Sequence, residues 1–273
     1  MSRPDDLERL SREVERLAHP DPQPEAPARA TPTGYRGITR SATYAFWAAL
    51  PLFVLYEVGI VLANGGTGRI RVGADVWIKN VLASVGLGGG LMLGVVVAAI
   101  GVVVWWRERD RRPPLVPRYF GLILAESLLY AVVLASLVSG AVGAIFGGWP
   151  LPDLALAQLA RLSLGLQLAL SIGAGLYEEL VFRVLLVGGM FLALRKLGRM
   201  PQTTAYAVAA LVGAAVFSAV HHMGPYGDPF TLSVFTFRFL FGLALNAVFL
   251  LRGFAVAAWT HALYDVLVVT GSL

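Results

Sequence analysis

The sequence predicts an all-α protein, a polytopic membrane helix bundle of about seven transmembrane helices, with six to eight as the range. Three observations lead there. Hydrophobic residues make up 57% of the 273 and charged residues only 14%, against about 45–50% and 25% in an average soluble domain. The apolar residues fall in runs long enough to cross about 30 Å of hydrocarbon, which takes roughly 20 residues. The net charge of +5 arises after residue 40, because the first 40 residues carry seven Arg and seven acids. Much of that excess sits in short loops between apolar runs, as orientation signals do, not on one phosphate-binding face. Composition thus excludes a soluble globular domain, a disordered chain and a nucleic-acid-binding module. Cysteine is absent, so disulfides and Cys-ligated metal clusters are ruled out.

Residues 1–38 read as a soluble tail. Leu7, Leu10, Val14 and Leu17 recur at helical spacing in a charged stretch, which predicts a short amphipathic helix. Pro20, Pro22, Pro24, Pro27 and Pro32 then predict an extended linker. No apolar stretch opens the chain, so no cleavable signal peptide is expected. The membrane part divides into N-terminal helices over 39–150 and a second region over 151–273. Spans are expected near 42–63, 81–106, 119–147, 163–195, 203–221, 232–250 and 254–271. The fourth is too long for one upright crossing; a kink at Gly173 and Gly175, or an interfacial start after Pro152, would accommodate it. The segment 73–90 reads either as part of the second span or as re-entrant. Loop cations number eleven on one side and five on the other, which predicts a cytoplasmic N-terminus.

Charges inside apolar runs are costly, about 2.5–3.5 kcal/mol each on insertion scales, so the few present need a reason. Glu57 and Glu126 stand alone in their runs and are expected either to bond a neighbouring helix or to lie near a membrane interface. The fourth run reads Tyr177-Glu178-Glu179-Leu180-Val181-Phe182-Arg183. Glu179 and Arg183 are four apart and share a helical face, as an ion pair does. Glu178 is rotated by about 100° and lacks that partner. The fifth run ends Phe217-Ser218-Ala219-Val220-His221-His222, and the seventh holds His261-Ala262-Leu263-Tyr264-Asp265. Glu178, His221, His261 and Asp265 come from three separate spans. Converging on a water-filled cavity, they suit acid–base chemistry, a proton relay or metal binding. Spacing alone does not separate these roles from a packing network.

Competing intramembrane chemistries lack their motifs. There is no H-E-x-x-H segment for a zincin and no G-x-S-x-G for a serine hydrolase. The three segments together resemble the CPBP family of intramembrane proteases, which unites the type II CAAX prenyl proteases with the bacteriocin-processing Abi group. The family pattern is Glu-Glu-x-x-x-Arg, then Phe-x-x-x-His, then His-x-x-x-Asn/Asp. Here it reads Glu178-Glu179…Arg183, Phe217…His221 and His261…Asp265, in order and on successive runs. The commoner Asn of the last motif is Asp265 here, and an ionised Asp cannot donate a hydrogen bond.

The resemblance implies that 151–273 is a catalytic core and that the reaction is endoproteolysis. Glu178 would activate a water and His221 would help to hold it. His261 and Asp265 would supply or orient hydrogen bonds to the oxyanion, with Glu179 and Arg183 positioning the helix. The enzyme would be a glutamic or a metallo-endopeptidase. No cofactor is favoured, and zinc is the alternative, with Glu178, His221 and His261 as ligands. Other readings are a non-catalytic scaffold or chaperone of the same fold and, less well matched, a proton-coupled carrier. Expected partners are a membrane-associated peptide or protein substrate and the lipid bilayer, with no nucleic acid. The expected location is a bacterial cell membrane.

Overall fold

A run of apolar residues in lipid must satisfy its backbone internally, and helices do so. The computed structural model describes residues 33–65, 70–147, 161–224 and 227–273, together with Glu13. The amphipathic stretch and Pro-rich linker expected before residue 33, and the interfacial start expected after Pro152, lie outside the described residues. Nine helices and no strand occur among the described residues. They are α1 (Gly34–Thr39), α2 (Ala42–Ala63), α3 (Gly73–Ser84), α4 (Gly90–Arg107), α5 (Pro117–Phe146), α6 (164–196), α7 (Gln202–Val220), α8 (Leu232–Arg252) and α9 (Phe254–Val269).

Each predicted span corresponds to one long helix, and α2, α5, α7 and α8 are long and apolar enough to cross a membrane. Helices α4 and α9 are apolar but shorter. The second span begins later than expected, at Gly90, and residues 73–84 form a helix of their own. The break between them contains Gly86 and Gly89, both in the left-handed region (φ +82° and +108°), which other residues rarely adopt.

Starts and stops follow local chemistry. Ser41, Ser163 and Thr231 precede α2, α6 and α8, and each side chain accepts a hydrogen bond from a first-turn backbone N–H. Helix α2 has a second cap from far along the chain. The Glu108 carboxylate accepts from the N–H groups of Ala42 and Thr43 at 2.9 Å and from the Thr43 hydroxyl at 2.6 Å. A carboxylate there also complements the positive end of the helix dipole.

The core is centred on α9. Ala255, Val256, Ala257 and Ala258 are buried all round, and α9 meets α2, α5, α6 and α8. Small side chains permit this close approach. Gly175 of α6 sits directly against α9: an added Cβ would lie 2.5 Å from the Ala258 carbonyl oxygen and from the Ala262 Cβ. Gly173 lies likewise against the Tyr56 ring. Both glycines therefore serve close contact. Helix α6 runs on through them, with wide turns over Ala174–Glu178 and Leu180–Gly188. Many large apolar side chains face outward along α2, α4 and α5, the surface lipid covers in an integral membrane protein.

Candidate active site

The wide turns of α6 end at Glu178 and resume after Glu179. Such segments are rare and concentrate at functional sites. Glu179 and Arg183 form an ion pair at 3.0 Å, both essentially inaccessible. The Arg183 guanidinium also lies 4.5 Å above the Phe217 ring, and one of its nitrogens is 3.5 Å from the Gly242 carbonyl oxygen. A buried charge needs such company. Phe217 is the hub: its ring meets the rings of Phe182, His221 and His261 edge-on.

Glu178 points elsewhere, into a cavity of about 640 Å³. Its Oε2 lies 3.4 Å from His221 Nε2 and 4.0 Å from His261 Nε2. That oxygen is buried and accepts no hydrogen bond among the described residues. His221 caps the end of α7, and its Nδ1 is 2.6 Å from the Phe217 carbonyl oxygen. A carbonyl only accepts, so Nδ1 carries a proton and donates it there. In the neutral ring Nε2 is then an acceptor facing a second acceptor, the Glu178 carboxylate. Such a pair is satisfied only by a shared proton or by a donor such as water between them.

His261 stands mid-way along α9. Its Nδ1 is 2.8 Å from Glu179 Oε1, to which it donates. Glu179 therefore orients the ring of His261 as well as pairing with Arg183, a role that spacing along one helix did not reveal. His261 Nε2 is 3.6 Å from Asp265 Oδ2, beyond hydrogen-bond reach. The tautomer of His261 is thus held by Glu179 and not by Asp265. Asp265 lines the cavity beside Tyr264. His222 turns away, its Nδ1 3.0 Å from the Asp228 carbonyl oxygen.

Two guanidiniums, those of Arg71 and Arg238, also line the cavity. Arg238 binds Asp228, with Nε 2.6 Å from Oδ2. Arg71 binds Asp75 at 2.5 Å and both oxygens of Glu57 at 2.7 Å. Burial opposes the charge on Arg71, but these carboxylates outweigh it and hold the guanidinium above its ordinary pKa. Lys79 joins Glu57 and Asp75, and Tyr177 donates to Glu57 at 3.0 Å. The chain thus ties the residue before Glu178 to α2 and α3. The signal was present in the four-residue spacing of Arg71, Asp75 and Lys79, which builds one helical face. Glu126 binds Arg252 and Tyr35.

Among the described residues no three His, Asp or Glu side chains are disposed to hold a metal ion. The arrangement suits holding and deprotonating a water beside an apolar wall of Trp77, Phe182 and Phe237. No curated protein and no solved structure matches the chain significantly. A family model does match residues 160–267, described as type II CAAX prenyl endopeptidase Rce1-like. The matched stretch contains Glu178, His221, Arg238, His261 and Asp265, whereas Arg71 and Trp77 of the cavity lie before it. Over those residues, less than half of the chain, it is similar to the type II CAAX prenyl endopeptidase Rce1-like family.

Proposed function

We propose that this integral membrane protein is an endopeptidase that cleaves a membrane-associated peptide or protein through a water activated by Glu178. The observation that carries this reading is the buried, unpartnered Glu178 Oε2 facing His221 Nε2 at 3.4 Å. Two acceptors turned toward each other hold a water by its two hydrogens, leaving its oxygen lone pairs free to attack. Glu178 takes one proton as the water oxygen bonds to the peptide carbonyl carbon. The proton passes to the leaving amine as the C–N bond breaks. His261, protonated on Nδ1 toward Glu179 and flanked by Asp265, stabilises the oxyanion when its Nε2 is also protonated. Arg183 neutralises Glu179, so that this second carboxylate does not compete as a base. The apolar wall of the cavity favours a substrate segment that reaches the site from lipid, prenylated or not.

We propose the metal-independent form of this chemistry, and a cytoplasmic N-terminus in a bacterial membrane. One experiment tests mechanism and reaction together. Wild type and Glu178→Gln are purified in detergent and assayed on a peptide library that includes prenylated C-terminal peptides, with and without chelator. Glu178→Gln is expected to lose about 10²–10⁴-fold in rate, the usual worth of a general base, and chelation to change nothing. Equal rates in both proteins overturn the reading. Stoichiometric zinc with activity lost on chelation overturns the metal-independent form alone.

A further inference from the structure

A second concavity lies away from the candidate active site, in the groove between α2 and α4. It measures about 520 Å³ and is lined by Phe46, Trp47, Val102, Val104 and Trp105, with Arg112 at its edge. Its size is within the roughly 300–1,000 Å³ typical of small-molecule sites. The Arg112 guanidinium lies 4.4 Å over the Trp105 ring. The stretch 107–118 that closes the groove contains five Arg and two acids. Both acids are committed: Glu108 caps α2, and Asp110 is 3.6 Å from Arg109. Arg107, Arg111, Arg112 and Arg118 are exposed and have no carboxylate partner among the described residues. Trp47, Trp105 and Trp106 are exposed beside them.

An apolar groove in a lipid-facing surface, ending at uncompensated arginines within an indole belt, has the polarity of one ligand class. Indole rings settle at the headgroup level of a bilayer. Basic pockets between membrane helices bind anionic headgroups. A guanidinium meets a phosphate through paired N–H donors, and stacking on Trp105 fixes its plane. We propose that this groove binds an anionic glycerophospholipid, with its phosphate at Arg112 and an acyl chain between α2 and α4. The site is independent of the proteolytic reading, since none of its residues lines the cavity of Glu178.

The test uses the full chain in nanodiscs of phosphatidylcholine with and without phosphatidylglycerol. After release into detergent, retained lipid is counted by native mass spectrometry. Wild type is expected to retain phosphatidylglycerol over phosphatidylcholine. Arg112→Gln is expected to lower that retention about fivefold, the effect of one basic residue at an anionic surface, and Arg112→Lys to restore part of it. Ala98 also lines the groove; Ala98→Phe fills it and leaves every charge in place, and retention is expected to fall there too. Excess inorganic phosphate is expected not to displace the lipid, because the acyl chain holds it. Equal retention by wild type and Arg112→Gln overturns the proposal. So does full retention by Ala98→Phe, which reveals diffuse charge attraction only. Displacement by phosphate, or a dimer replacing bound lipid, overturns it as well.

Discussion

Glu178 and Glu179 are neighbours in sequence with opposite surroundings. Glu179 is wholly enclosed and holds two partners, Arg183 at 3.0 Å and His261 at 2.8 Å. Glu178 meets imidazole nitrogens across a cavity. Identical side chains thus receive different work from their environment, as paired carboxylates do in many active sites. Removing one member of a buried ion pair leaves an uncompensated charge. Arg183→Met is therefore expected to destabilise the fold by about 3–5 kcal/mol, read as a lower unfolding midpoint in detergent. The same substitution is expected to lower activity, because Glu179 then draws on His261 alone. An unchanged midpoint overturns this account. The sequence showed the Glu179–Arg183 pair, because both residues lie on one helix. It did not show the bond from Glu179 to His261, because those residues are 82 positions apart and meet only through packing.

At the scale of elements, the plain apolar runs were easy to read, and α2, α5, α7 and α8 fall within a few residues of their expected spans. Helix α3 was harder. At 12 residues it is too short for a span, and its charges Asp75 and Lys79 find partners on α2 in Tyr56 and Glu57. The wide turns of α6 left no trace in composition, since they answer to the helices packed around them. Gly175 shows the constraint best, because α9 comes against it with no room for a side chain. Gly175→Val is expected to cost about 1–3 kcal/mol, the usual range for overpacking, and to abolish cleavage by shifting His261. Gly189→Val, on the same helix with nothing within 4 Å of an added Cβ, is expected to preserve both. Unfolding curves and peptide cleavage on the two variants check this. Equal behaviour of the two overturns the contact argument.

At the scale of the whole molecule, distribution of charge is the feature that sequence reading used most. The Arg-rich connection after α4 is exposed, as a loop beyond the hydrocarbon would be. A cytoplasmic N-terminus predicts that Asp110 and Ser272 lie on opposite sides of the membrane. The chain contains no cysteine, so Asp110→Cys and Ser272→Cys each give a single labelling site. Asp110→Cys is expected to react with an impermeant maleimide only after the cells are opened, and Ser272→Cys in intact cells. The reverse pattern inverts the orientation. One property of α9 reaches further. Its 16 residues rise only about 24 Å, less than the roughly 30 Å of hydrocarbon around it. Val268 and Val269, at its far end, line the same cavity as Glu178. The central helix is therefore shorter than α2, α5, α7 and α8 around it, and its last turn forms part of the wall of the cavity that holds Glu178.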